Sequence, residues 1–544
     1  MRILNKAMLT GHGNREGRKI VADLLDAGLD ALDPYYRVKK LIRVEDRRII
    51  LDDRDFEMRN DPHSGPAMYD TRDYDRVLVI GAGKGIQRAA LAMEEVLGDL
   101  LTGGAVIAKH GEGIQCRKID VTLAGHPSPD AACVEGCRKI EALAEGCSSR
   151  DLVFTISGSG CGSLMTYPAG DITLDEIATF TRMMQIEKGV PTSDLNTVRT
   201  HIDRFKGGRL TRLFKYASLV HLTTADPSKM GTPVLRMDYF EMLEKNNFFP
   251  PIPSPATYAD AIEVIRKWDA WENTPESIRR HLSEGTPETD NMGIAEFEKL
   301  NVRFFGLIFK DATVYPAVRA KASEFGYPCV MLSEYMQAEA AEAGKVNASI
   351  ALNTERLNEP FASPVILMTS GELLVTAGKG SGVGGRNQEY CMTAALLIRG
   401  SKRIVFGAVD TDGTDGPGGL KLPDAPECLA GAITDGFTAD EAKSTGLDLE
   451  SALKRHATSE PLWKLGCGIS AKPGVSALDL GVILIMPGQH LGSAFLDEKT
   501  YSHTTNKNGK TKNEPNKKRT ICCAFKSAGR CSTGGSANET SNIS

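Results

Sequence analysis

The candidates for chemistry in this chain are short clusters of glycine, serine, cations and carboxylates placed where an apolar run ends. Gly81-Ala82-Gly83-Lys84 follows the apolar run Arg76-Val77-Leu78-Val79-Ile80 and precedes an Ala/Met/Leu-rich segment to Leu97. A strand that empties through glycines into a helix leaves backbone N–H groups at the positive end of the helix dipole. Phosphate is the natural guest there, and Lys84 adds a full charge. The alternative is a tight turn with a solvated lysine. The loop is no Walker A motif, and no third glycine stands at the dinucleotide spacing. A second loop, Ser157-Gly158-Ser159-Gly160-Cys161-Gly162-Ser163, follows Asp151 to Ile156 in the same way. Its Ser157, Gly158, Gly160 and Gly162 either let the backbone approach a phosphate-bearing ligand closely or form a flexible surface loop. Ser159 does not complete a nucleophile elbow, because Ser157 and Cys161 occupy the positions where that pattern needs glycine.

Three further clusters add charge. Asn196 and Arg199, followed by Lys206 and Arg209 around a glycine pair, suit a carboxylate or phosphate, with helix-surface solvation as the alternative. Arg386 falls in the first turn of a helix running to Leu397, where a cation opposes the helix dipole; a local rule broken inside a polar cluster points to function. The loop Asp410-Thr411-Asp412-Gly413-Thr414-Asp415-Gly416 offers hard oxygen ligands of the kind Mg²⁺ takes one or two of, with Asp412 and Asp415 as candidates. An Asp/Gly turn is the other reading. A calcium loop is excluded, since Lys421 stands where the bidentate glutamate belongs.

The elements that must position these groups alternate between strand and helix. Residues 12–33 have helical apolar spacing, and Ile42 to Leu51 reads as a charged hairpin. Strand-like runs follow at 76–80, 104–108, 121–124 and 151–156, which predicts a doubly wound, mostly parallel sheet with sites at the carboxyl ends of its strands. A Pro-rich, then charged, stretch near residues 250–300 marks a boundary, and runs at 304–309, 364–368, 403–408 and 480–486 predict a second, smaller α/β domain. The expected division is 12–290 and 300–490. A polar tail at 497–544 lacks the apolar residues to offset its ordering entropy and is expected to be disordered.

Composition narrows the function classes. A chain of 544 residues exceeds one ordinary domain, and a formal charge of -5 leaves no basic face for nucleic acid. Without an apolar run long enough for a signal peptide or a membrane span, a cytoplasmic enzyme acting on a small molecule is expected. The twelve cysteines are mostly scattered singly, as reduced thiols are. Cys133 and Cys137 share a helix face without further ligands at zinc spacing.

Together the runs Val77 to Lys84 and Gly125-His126-Pro127-Ser128-Pro129-Asp130, the Ser157 loop, Asn196 to Arg199, Lys206 to Arg209, Ser370-Gly371-Glu372, Gly384 to Glu389 and Asp412 to Gly416 resemble glycerate 2-kinases. The motifs keep their order over roughly residues 15–487. The resemblance implies a Rossmann-like N-terminal domain, a C-terminal MOFRL domain and an active site in the cleft between them. It also implies ATP and Mg²⁺, D-glycerate as acceptor and 2-phosphoglycerate as product, with Lys84 and Arg386 essential. Ser159 and Cys161 interrupt the usual glycine loop, and the late Thr-Gly-Pro phrase is replaced by Ser470 to Ser476, which marks a divergent subfamily. The competing readings are a hydroxypyruvate reductase using NAD(P)H and a non-catalytic sugar-acid sensor. A homodimer is compatible with the sequence, which does not give the oligomeric state.

Overall fold

The computed structural model describes residues 1–126, 128–225, 236–287, 289–377 and 382–488. The expected tail, with Cys522, Cys523 and Cys531, lies outside them. A three-stranded antiparallel sheet comes first: β1 (Ile42–Glu45), β2 (Arg48–Leu51) and β3 (Ala67–Asp70), with β1 and β2 forming the expected hairpin.

The first large sheet holds β4 (Arg76–Ala82), β5 (Gly103–Lys109), β6 (Ile119–Ala124), β7 (Asp151–Gly158), β8 (Ser218–Thr224) and β9 (Val302–Gly306). Their order is β6-β5-β4-β7-β8-β9, and every pair is parallel. This is the doubly wound order with its switch point between β4 and β5 on one side and β7 on the other, and it brings the carboxyl ends of β4 and β7 side by side. β7 and β8 are buried along their whole length, as expected of parallel strands covered on both faces.

The second sheet is mixed. It contains β10 (Cys329–Met336), β11 (Val365–Gly371), β12 (Ile404–Asp410), β13 (Gly431–Asp435), β14 (Gly468–Ile469) and β15 (Asp479–Ile485), in the order β10-β11-β15-β12-β13-β14. Only β10 and β11 are parallel; β15 enters antiparallel between β11 and β12. Among the helices, α1 (Arg15–Ala31) packs on the second sheet, and three bear on the site: α2 (Ile86–Leu97), α3 (Thr192–Arg199) and α4 (Arg386–Leu397).

Two features differ from the expectation. The run near 304–309, grouped by sequence with the second sheet, supplies β9, the last strand of the first sheet, through pairing of Leu219 with Val302 and His221 with Phe304. The helix near the start of the chain, grouped with the first domain, packs instead against β12, β13 and β15 of the second sheet. Both follow from long-range packing that a local apolar pattern does not encode. Leu24 and Leu25 of α1 enter one continuous apolar core with Val405 and Val482 of the second sheet and Val79 and Phe154 of the first.

Arg18 fastens α1 in place. The side chain is fully buried, donates through Nε to Asp435 Oδ2 at 2.5 Å and through Nη2 to Thr438 Oγ1 at 3.0 Å. Removing one member of such a pair strands a buried charge, at a cost of about 3–5 kcal/mol. Arg18→Ala is therefore expected to lower the denaturation midpoint sharply, while Lys19→Ala, whose exposed side chain pairs with Asp23 and lies 5.8 Å over the Phe325 ring, shifts stability by less than about 1 kcal/mol. Urea titrations of the two variants followed by circular dichroism check the contrast; equal effects would show that the buried pair does not hold the helix.

Candidate active site

The site is built where the carboxyl ends of β4 and β7 face the loop after β12. Gly81 and Gly83 have φ near +157°, and a side chain there would strike β7: a Cβ on Gly81 would lie 2.0 Å from Ile156 O, and one on Gly83 would lie 2.6 Å from Gly158 Cα. The two glycines thus let β4 and β7 close on each other. The amides of this turn are already used. Gly83 N–H donates to Ile107 O at 3.1 Å, Lys84 N–H to Ser159 O at 2.8 Å, and Gly85 N–H to Glu112 Oε1 at 3.0 Å. The helix end of α2 thus receives the chain's own Glu112, and what the turn presents is the Lys84 side chain.

In the second loop, Ser157 closes β7 and is buried with Gly158, whose absent side chain makes room for Gly83 and Thr224. Gly160, at φ +82°, starts the short helix Cys161–Leu164 and lies against His126 and Lys84. Among the described residues Ser159 Oγ and Thr224 Oγ1, both buried, have no hydrogen-bond partner, so two hydroxyls stand ready at the ends of neighbouring strands. Gly162 and Ser163 line a water-sized cavity of about 10 Å³ together with Thr166, Arg199, Asp203 and Lys206.

Arg199 ends α3 and donates to Asn196 Oδ1 at a long 3.4 Å. Burial pushes its guanidinium down to about 10, with only the more distant charge of Asp203 opposing. A desolvated cation so lightly paired gains more from an anion than a paired one does. Lys206 differs: its ammonium binds Asp203 and donates to Met165 O at 2.9 Å. Arg209 is likewise used internally, on Asn291 Oδ1 at 3.0 Å and on backbone carbonyls of Thr200 and Asp203.

Across the cleft, Arg386 is the first residue of α4. Asp410 at the end of β12 and Asp479 at the start of β15 are direct partners in the antiparallel register. Two carboxylates facing each other destabilise a sheet unless a cation lies between them. Arg386 supplies it, with Nε 2.9 Å from both Asp479 oxygens and Nη2 2.8 Å from Asp410 Oδ2. Burial opposes the guanidinium's charge, but Asp479 and Asp410 outweigh it and hold its pKa above the ordinary arginine value. Burial also raises Asp410, helped by the Asp412 charge, and raises Asp479, with Arg386 opposing both.

Asp412 joins the two lobes. Its Oδ2 accepts from Lys84 Nζ at 2.6 Å, its Oδ1 accepts from Thr414 N–H at 2.9 Å and Oγ1 at 2.7 Å, and its own N–H donates to Asp410 Oδ1 at 3.1 Å. Burial works against the Asp412 carboxylate, but Lys84 prevails and keeps it below the usual range. Lys84, Asp412, Asp410 and Arg386 therefore form a connected chain from one lobe to the other.

Asp415 has a different task. Its Oδ1 accepts from the N–H and Nδ2 of Asn387, each at 3.1 Å, and its Oδ2 from the N–H of Gln388 at 3.0 Å. It caps the first turn of α4 from outside the helix, fully enclosed, and burial raises it to about 6. The sequence pairs Asp412 and Asp415 as equivalent; the fold turns one toward the cleft and the other under the helix. Asp479 and His456, which pairs with Glu389 at 2.8 Å, are additions that sequence reasoning did not select, while Asp410, Glu372 at 3.9 Å from Arg386, and Glu389 stood in its motifs without an assigned role. A single carboxylate at the border of a wholly apolar strand, as at Asp410 and Asp479, was the available signal.

The chain is similar to known proteins along most of its length. A family model described as "Domain of unknown function (DUF4147)" matches residues 20–283, and one described as "MOFRL family" matches residues 365–477. The glycerate 2-kinase of Pyrococcus horikoshii is 30% identical over 449 residues, covering 82% of this chain and 92% of that protein. The D-glycerate 2-kinase of Thermotoga maritima is 31% identical over 415 residues, covering 76% and 91%. The crystal structure of a glycerate kinase from Thermotoga maritima superposes with a TM-score of 0.68 at 27% identity, covering 86% of this chain and 99% of that one.

The Asp415 carboxyl carries a pH signature. Its folded value of about 6 lies above the roughly 3.9 of an unfolded aspartate, so the folded state holds the extra proton between those values and stability falls as pH rises through that window. Relative to Asp415→Asn, the wild type is expected to lose stability between about pH 4 and pH 6 and to keep a constant offset above it. Denaturant titrations of both proteins across that range test this, and an offset that never changes with pH would refute it.

Proposed function

Because this chain belongs to the glycerate 2-kinase family, we propose that it transfers the γ-phosphoryl group of ATP to the 2-hydroxyl of D-glycerate, giving 2-phosphoglycerate and ADP. The observation that carries the reading is the pair of cations, Lys84 from the first lobe and Arg386 from the second, joined through Asp412 and Asp410. Phosphoryl transfer asks for alignment and neutralisation of charge on the transferring oxygens more than for covalent chemistry. Two cations held by carboxylates in a water-poor cleft are set before the substrate arrives, which is what electrostatic stabilisation of a transition state requires.

In this reading Arg199, with Asn196 behind it, receives the glycerate carboxylate beside Gly162 and Ser163, and the unpartnered Ser159 hydroxyl is available to a substrate hydroxyl. A magnesium ion would arrive with the nucleotide. Such an ion takes one or two carboxylates and completes its shell from phosphates and water. Asp412 is the carboxylate turned to the cleft and would hold it, supplying charge neutralisation between donor and acceptor; Asp415 keeps its capping role. Lys84, released from Asp412 by the phosphates, turns to the transferring group.

Purified protein incubated with ATP, Mg²⁺ and D-glycerate is expected to release ADP and the 2-isomer of phosphoglycerate, with hydroxypyruvate plus NADH or NADPH as the parallel control. Lys84→Ala and Arg386→Ala should each lower kcat by about 10²–10³-fold, the usual cost of removing one charge-stabilising donor. Arg199→Ala should instead act mainly on the glycerate KM, raising it by about 10-fold or more, since a charged hydrogen bond is worth about 1.5–3 kcal/mol. Absence of ADP release with any short hydroxy acid, or near-normal turnover in Lys84→Ala, would defeat the proposal.

A further inference from the structure

The second lobe contains a cavity of about 330 Å³ that none of the groups used so far fills. One wall is the segment after β11, Leu373, Leu374 and Val375. Leu374 is a large apolar side chain left 46% exposed there. Arg386 lies at the border of the cavity, and the opposite polar wall carries Glu389 and His456, joined Oε1 to Nδ1 at 2.8 Å. The cavity is thus apolar on one side, hydrogen-bonding on another and cationic where it meets the reacting centre. Its size falls at the lower end of the roughly 300–1,000 Å³ of small-molecule sites, which matches a nucleoside and far exceeds a three-carbon acid.

A larger cavity of about 420 Å³ opens beside the turn after β4, but it is lined mostly by charged and polar residues, among them Arg2, Asp30, Asp33, Arg88, Glu112 and Lys472, rather than by an apolar wall of the Leu373–Val375 kind. The cavity beside Arg199 measures about 10 Å³, room for one water and far too little for a base. The groups between the two cavities run in order: Gly162 and Ser163 line the small one, Gly160 rests on Lys84, Lys84 binds Asp412, Asp412 binds Asp410, and Asp410 binds Arg386 at the large one. The turn amides of Gly83, Lys84 and Gly85, where a doubly wound sheet often receives a nucleotide, already have partners inside the chain.

We propose that the nucleoside half of the phosphoryl donor docks in the second-lobe cavity against Leu373–Val375, facing the Glu389–His456 pair, with its triphosphate passing Arg386 toward Lys84. This rests on the kinase reading above and assigns donor and acceptor to opposite lobes. The base lies on the apolar wall, ring nitrogens or ribose hydroxyls meet the His456 side, and the γ-phosphoryl group reaches the acceptor between the two cations.

The test uses the full chain, Val375→Trp to fill the cavity and His456→Ala to remove its polar wall. ATP and glycerate KM values are measured in turn, and 8-azido-ATP is photolysed on the wild type and the labelled peptides sequenced. The expected result is an ATP KM raised about 10-fold or more, equivalent to about 1.4 kcal/mol, with the glycerate KM within about 2-fold of wild type, and label in peptides containing Leu373–Val375 or His456. An unchanged ATP KM in both variants, with label in peptides spanning 81–85 or 157–163, overturns the assignment. Label in the cavity of a wild type that phosphorylates no glycerate overturns the acceptor and supports the nucleotide site. If Val375→Trp does not fold, His456→Ala and the labelling decide the matter.

Discussion

Everything at this centre depends on one electrostatic constraint: Asp410 and Asp479 face each other across neighbouring antiparallel strands and cannot both stay ionised without a cation between them. Arg386 meets that demand, and in doing so it fixes the start of α4 against the sheet. The helix end would then carry a cation at its positive pole, and Asp415 offsets this by taking two backbone N–H groups of the first turn. Asp412 carries the chain of charges on to Lys84 in the other lobe. Two adjacent carboxylates, Asp410 and Asp412, thus lie between Arg386 and Lys84, and each is held by the cation at its own end.

That chain of paired charges explains how the second lobe can be both a rigid sheet and half of a reaction centre. β15, inserted antiparallel between β11 and β12, brings Asp479 to the same edge as Asp410 and Gly371. The first lobe contributes differently. Its parallel strands deliver two glycine turns to one edge, one of which places Lys84 against Asp412, while Arg199 at the end of α3 makes only a long hydrogen bond to Asn196, the condition in which a cation gains most from an incoming anion. The site therefore presents two cations already paired with carboxylates, Lys84 and Arg386, and one lightly paired, Arg199. A site assembled this way acquires its full charge balance only when an anionic substrate is present.

The alternating strand and helix order, the strands at 76–80, 104–108, 121–124 and 151–156, and the placing of Lys84, Arg386 and the Asp412 loop at strand or helix ends were legible from the chain alone. Those features are local: apolar run length, glycine after a strand and polar residues opening a helix are set by neighbours in sequence. What the amides of Gly83–Gly85 bind, which of Asp412 and Asp415 faces the cleft, that β9 completes the first sheet and that α1 covers the second were decided only by the tertiary structure. The reason is physical: a hydrogen-bond partner such as Glu112, a facing carboxylate such as Asp479 or a sheet such as β12–β15 lies tens to hundreds of residues away in sequence. Sequence types determine which groups can carry charge, and long-range packing determines which of those charges are already spent.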